Sequence, residues 1–146
     1  MKPLRQGGFL IARIHQAAGR IFARKLKKYK LGQINPAQGR ILFALWEEDG
    51  IPIQELADKT SLGKSTLTSM LDRLEAAGHL KRVPSKEDRR KVIIRLTGKD
   101  KKMQALYHAV SAEMIDLFYR DFTAGEIDMF EEALNRALGN LKSAER

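Results

Sequence analysis

Between Ile53 and Leu96 the apolar pattern switches once from helical spacing to alternation, and that switch limits what the chain can fold into. Gln54 to Lys59 reads as a short helix with Leu56 and Ala57 inward. Thr60-Ser61-Leu62-Gly63 breaks it. A longer helix follows from Lys64 to about Ala77, with Leu67, Met70 or Leu71, and Leu74 on one face, and Gly78 as its stop. Ser65, Thr66, Ser69, Asp72 and Arg73 point elsewhere. His79–Pro84 and Lys91–Leu96 are strand-like, and the polar run Ser85 to Arg90 between them reads as a hairpin tip. Val92, Ile94 and Leu96 alternate, which predicts that one face of this ribbon lies on the core. A short helix, a tight turn, a longer helix and a β-ribbon in that order read as a helix-turn-helix with a wing.

Helices flank this centre on both sides. Ile11, Ile14, Ala18, Ile21, Phe22, Leu26 and Tyr29 recur at helical spacing from about Gly8 to Tyr29, and Gly32 is the expected stop. Asn35-Pro36-Ala37-Gln38 carries an N-cap, a proline at the first helical position and a capping-box glutamine. That helix is expected to run from Ala37 to about Glu48 and to end at Asp49-Gly50. Ile51-Pro52-Ile53 is a short extended segment. Thr97 is expected to open another helix, with Asp100 at the capping-box position, that runs through Met103, Leu106, Val110, Met114 and Leu117 to about Phe122. Thr123 and Glu126 form a second capping box ahead of Ile127, Phe130, Leu134, Leu138 and Leu141. The fold class is mainly α with a small β-ribbon (α+β), and the 146 residues suit one domain or one compact domain with helical extensions.

Charge points to the partner. The formal net charge is +9, which favours a polyanion, either nucleic acid or an anionic membrane. Ten Lys/Arg and no acid precede Glu47, and ten more bases lie between His79 and Lys102 against Glu87, Asp88 and Asp100. Beyond Met103 eight acids face four bases. The cluster Arg20, Arg24, Lys25, Lys27, Lys28 and Lys30 reads either as a solvated helix face or as long-range attraction for phosphate. The chain has no cysteine, which excludes disulfides, cysteine-based zinc or iron–sulfur sites and thiol redox sensing, and fits a reducing compartment. No apolar run approaches the ~20 residues that span a bilayer. The opening residues lack a small-residue cleavage site, so a cytoplasmic protein with no membrane partner is expected.

The second helix of a helix-turn-helix enters the major groove by its N-terminal half. Here that half is GKSTLTSM, small hydroxyls and one lysine, which allow close approach to base edges and phosphates. Arg73 lies two turns on, within reach of a phosphate. The tip contributes Lys86, Arg89, Arg90 and Lys91, suited to the backbone or to a narrow minor groove. Asp88 among them reads as a partner that orients a guanidinium and so saves rotamer entropy on binding. An enzyme is not expected: no nucleophile–base pair, carboxylate pair or phosphate-cradling loop stands out. Gly63-Lys64-Ser65 lacks the upstream glycine of a P-loop. His15, His79 and His108 are too scattered for a metal site, and no cofactor is expected. The terminal stripes (Phe9, Ile14, Phe22, Leu117, Phe118, Phe122, Ile127, Phe130, Leu134, Leu138) hold more apolar surface than the central unit can cover, which predicts a homodimer.

The run LADKTSLGKSTLTSMLDRLEAAGHLKRVPSKEDRRKVIIRLTGKDKK resembles the MarR family of winged-helix regulators, densely over residues 53–102 and in helix order beyond. The resemblance implies a winged helix-turn-helix at 35–96 and a dimerisation region formed by 1–34 and 97–146. It implies contacts to double-stranded DNA from Lys64, Ser65, Thr66, Thr68 and Ser69. In the wing it implies an Asp-x-Arg pair, Asp88 and Arg90 with Arg89 between, that places an arginine in the minor groove. It further implies a transcriptional repressor acting on a pseudo-palindromic operator and released by a small aromatic or anionic effector; His15, Arg40, Trp46 and Tyr107 are the candidate pocket residues. A winged helix used for protein contacts is the alternative, and it predicts a neutral or apolar reading face.

Overall fold

The computed structural model describes residues 1–99 and 101–146. In chain order the elements are α1 (Gly7–Lys28), α2 (Pro36–Glu47), β1 (Ile51–Pro52), α3 (Ile53–Thr60), α4 (Lys64–Ala76), β2 (Leu80–Pro84), β3 (Val92–Leu96), α5 (Lys101–Phe118) and α6 (Ala124–Ala144). The chain forms two compact units, Met1–Val110 and Ser111–Arg146.

In the first unit, α2, α3 and α4 turn their apolar faces together. Ile41, Leu42 and Leu45 of α2 meet Leu56 of α3 and Leu67, Leu71 and Leu74 of α4 in one core. Ile51, Leu80 and Ile94 bring the sheet into that core, and Tyr107 and Val110 bring α5. The sheet is antiparallel in the order β1-β3-β2. Ile51 lies opposite Ile94, and the ribbon registers Leu80 with Leu96 and Pro84 with Val92. The expected alternation therefore holds only near the base. Ile94 is buried, whereas Val92 is exposed because its pair with Pro84 lies out along the ribbon, beyond the helices.

Helix ends follow local chemistry. The Asn35 side chain accepts the Gln38 amide at 2.8 Å while the Gln38 side chain accepts the Asn35 amide at 3.0 Å, a complete capping box. Asn35 Nδ2 also donates to Met70 Sδ at 3.3 Å, so the start of α2 is tied to α4. Asn35→Ala is expected to cost about 1 kcal/mol of stability, read as a lower urea midpoint at unchanged slope. At the end of α4, Gly78 sits at φ 86°, with its amide on Glu75 O and the His79 amide on Leu74 O, the doubled bond of a Schellman end.

Three expected boundaries move. Gly32 does not end α1; Lys30 does, at φ 62°, with its amide on Lys27 O and the Leu31 amide on Leu26 O. Leu26 and Leu31 are both buried, and that apolar contact holds the lysine left-handed where glycine would be easier. Thr97 does not open α5. Its hydroxyl donates to Gly78 O at 2.7 Å, and the helix begins at Lys101; the Asp100 capping-box position lies outside the described residues. α5 ends at Phe118 rather than Phe122, and Asp121 at φ 67° turns the chain into α6. Thr123 and Glu126 cap α6 reciprocally, as the sequence predicts. In this second unit Phe118 packs on Phe130 (6.1 Å between ring centroids), and Tyr119 Oη donates to Glu131 at 2.6 Å.

Candidate nucleic-acid interface

The turn between α3 and α4 takes its sharpness from Ser61, left-handed at φ 54°, and not from Gly63, which is extended at φ −65°. Arg40 reaches from α2 to this turn and donates through Nη1 to the Thr60 carbonyl at 2.9 Å, satisfying the exposed end of α3. Below the turn, α4 divides cleanly. Leu67, Met70, Leu71 and Leu74 are buried, while Lys64, Ser65, Thr66, Thr68, Ser69 and Arg73 are all exposed. Among the described residues none of those six side chains has a partner within the chain. No side chain caps the N-terminus of α4 either, so its first amides are left for an external acceptor.

The wing tip is ordered by its own backbone. The Ser85 amide donates to Lys91 O at 3.0 Å and the Lys91 amide to Asp88 O at 2.9 Å, closing the hairpin. Ser85 Oγ accepts the amides of Glu87 and Asp88, both at 3.3 Å. Asp88 then holds Arg90 three ways: Oδ1 accepts its amide at 3.1 Å and its Nε at 3.2 Å, and Oδ2 accepts Nη2 at 3.4 Å. Those hydrogen bonds hold the Asp88 carboxyl below its usual range. The aspartate side chain is 32% exposed and the arginine 91%, so the pair aims a pre-set guanidinium into solvent. Lys86, Arg89 and Lys91 are exposed around it.

A further group, which the sequence reading did not single out, joins these two parts. Arg82 of β2 places Nη1 2.7 Å from Asp72 Oδ1 and Nη2 2.7 Å from Glu75 Oε1. Its Nε also donates to Glu75 Oε1 at 3.1 Å, and its amide to Glu75 Oε2 at 3.0 Å. Hydrogen bonds from Arg82 lower the Glu75 pKa. The signal in the sequence is slight: two acids at i and i+3 on α4 and a base beyond Gly78, which meet only because the chain reverses there.

A sequence model of the MarR family matches residues 34–92, from the start of α2 through the wing to β3. Residues 34–92 belong to the MarR family. Among the chain's relatives, the HTH-type transcriptional regulator TtmR of Methylorubrum extorquens is 36% identical over 106 residues, 70% of this chain and 53% of TtmR. The chain spans about half the length of the curated relatives it matches first. Solved MarR-type structures match along nearly their whole length. A mutant MarR from E. coli, complexed with operator DNA, superposes with a TM-score of 0.76 at 26% identity, over 94% of this chain and 99% of that one. The transcriptional regulator BldR from Sulfolobus Solfataricus gives 0.79 at 27% identity, over 92% and 94%.

Of the four candidate pocket residues, Trp46 and Tyr107 touch and Arg40 lies close enough to act on the Tyr107 hydroxyl, whereas His15 stands apart. His15 is exposed on α1, and Arg40 serves the α3 end. Tyr107 is buried, edge-on to Phe22 (5.4 Å) and Trp46 (5.3 Å), and burial pushes its hydroxyl up to about 12. Trp46 alone of the four lines a cavity of about 260 Å³, with Leu42, His79, Leu96, Lys101 and Met103 among its other walls. Among the described residues no group of His, Asp and Glu could hold a metal, and no helix is long and apolar enough to cross a membrane.

Proposed function

We propose that this protein is a sequence-specific, double-stranded-DNA-binding transcriptional regulator, a repressor that acts as a homodimer on a pseudo-palindromic operator. The observation that carries this reading is the pairing of an unpartnered polar face on α4 with a wing whose Arg90 is held ready by Asp88. A helix face of Lys64, Ser65, Thr66, Thr68 and Ser69 suits base edges in the major groove, with Arg73 on a phosphate. Arg90 suits the adjacent minor groove, and Lys86, Arg89 and Lys91 suit its flanking phosphates. That E. coli MarR has been seen with operator DNA supports the same reading. In it, residues 1–34 and 97–146 form the dimerisation region and 35–96 the DNA-binding part. A small aromatic or anionic effector that releases DNA completes the proposal. The donors and indole around the cavity at Trp46 suit such a ligand.

Selection of bound sequences from a random duplex pool tests it. The expected product is an inverted repeat with half-sites ~34 Å, one helical turn, apart. No enrichment, with binding that disappears as salt rises, would leave a basic surface and favour protein contacts. Arg90→Ala is expected to weaken operator binding about tenfold and to flatten A·T preference at the flanks. Ser65→Ala or Thr66→Ala should instead change the preferred central bases in competition with mutated duplexes. Normal binding by Arg90→Ala at near-physiological salt would refute the wing's role.

A further inference from the structure

We infer that Arg82 is a positioning residue of this interface: it locks the wing to the reading helix and pairs with two carboxylates of that helix, offsetting one of their two charges. The inference rests on the DNA-reading role proposed above. Arg82 sits mid-way along β2, opposite Ile94, with the ribbon's tip beyond it. Its guanidinium spans Asp72 and Glu75, one turn apart on α4, and its own amide bonds the second oxygen of Glu75. Side chain and main chain of one residue thus hold the strand against the helix. The base of the ribbon is held by Leu80 and Ile94 in the core and by the doubled bond at Gly78, and Arg82 is the tie farther out toward the tip. Arg90 is fixed to its own tip by Asp88, so the angle at which it meets the duplex relative to Ser65 and Thr66 depends on how firmly the ribbon is set on α4.

The charges make a second argument. Asp72 and Glu75 flank Arg73 on the helix that would lie against a polyanion. Left unpaired, two carboxylates there repel phosphate. The planar fork of arginine can serve both at once, which a lysine ammonium cannot do with the same geometry.

The chain has no cysteine, so spin labels can be placed without background. In the full-length protein, labels on Glu87→Cys and Ala76→Cys should give a narrow distance distribution that broadens clearly in Arg82→Gln and partly in Arg82→Lys. On DNA, Arg82→Gln should lose about tenfold in the ratio of operator to scrambled-duplex affinity. It should also weaken scrambled-duplex binding, with a changed salt slope. The triple variant Asp72→Asn, Glu75→Gln, Arg82→Gln removes the clamp without freeing charge. It should regain scrambled-duplex binding but not the ratio, and it keeps the test open if Arg82→Gln alone does not fold. An unchanged label distribution together with an unchanged ratio overturns the inference. If the unaltered protein discriminates no sequence, the DNA-reading role fails instead, and the label distances still decide whether Arg82 sets the wing.

Discussion

Leu138→Asp combined with Leu141→Asp should convert the protein to a monomer and lower operator affinity by roughly 10²–10⁴-fold, the scale of avidity lost when two linked readers become one. The stripe on α6 runs Ile127, Phe130, Leu134, Leu138, Leu141 at helical spacing. Its first three members are half-buried, while Leu138 and Leu141 are 46% and 64% exposed, and no residue of α6 is fully buried. Ile115 and Met129 of the same unit are also bare. A helical hairpin of this size cannot supply a core of its own, and an apolar stripe left in water marks an association surface. A second copy meeting it across a two-fold axis would cover it with the same stripe. Because neither leucine belongs to α4 or the wing, affinity for a single half-site should stay unchanged. Light scattering at micromolar protein, with titrations on full and half operators, reads both effects. A double variant that remains dimeric and binds normally would place the association surface elsewhere.

Much of the fold was legible because its signals are local. The two capping boxes at Asn35 and Thr123, and the stop at Gly78, depend on residues within a few positions of one another. The sequence spacing showed them without tertiary knowledge. The face of α4 was equally readable, since Leu67, Met70, Leu71 and Leu74 leave the hydroxyls and bases no other side. What escaped depends on distant packing. Lys30 ends α1 instead of Gly32 because Leu31 is drawn into the core, a fact that no residue preference contains. Val92 fits an alternating strand and yet lies too far along the ribbon to be covered. The clamp at Arg82 and the turn service of Arg40 join elements that only the folded chain brings together. Arg40 was a candidate pocket residue on the resemblance alone, and its bond to the Thr60 carbonyl is a role that only the folded chain reveals.

Gly39 shows how such packing can become a large effect at a position that looks permissive. It lies inside α2, where alanine is the better helix former by about 1 kcal/mol. A Cβ there would clash with Tyr107 Oη and stand 3.1 Å from Cζ. Tyr107 has nowhere to retreat. It is 5% exposed, with Phe22 and Trp46 edge-on against it at 5.4 and 5.3 Å. Overpacking of this kind costs up to ~3 kcal/mol, so Gly39→Ala should lose about 2 kcal/mol net of the propensity gain. For a chain of this length that lowers the melting temperature by roughly 4–8 °C. Trp46 is the one tryptophan and touches the displaced ring, so its emission should shift along with the unfolding curve. The second substitution decides the cause. Tyr107→Phe removes the nearest atom and leaves the 3.1 Å contact to be relieved by a few tenths of an ångström. Gly39→Ala with Tyr107→Phe should therefore recover most of the lost stability, beyond the sum of the two single changes. If the double variant is no more stable than Gly39→Ala alone, the cost comes from the backbone of α2 and not from the tyrosine that fills the space beside it.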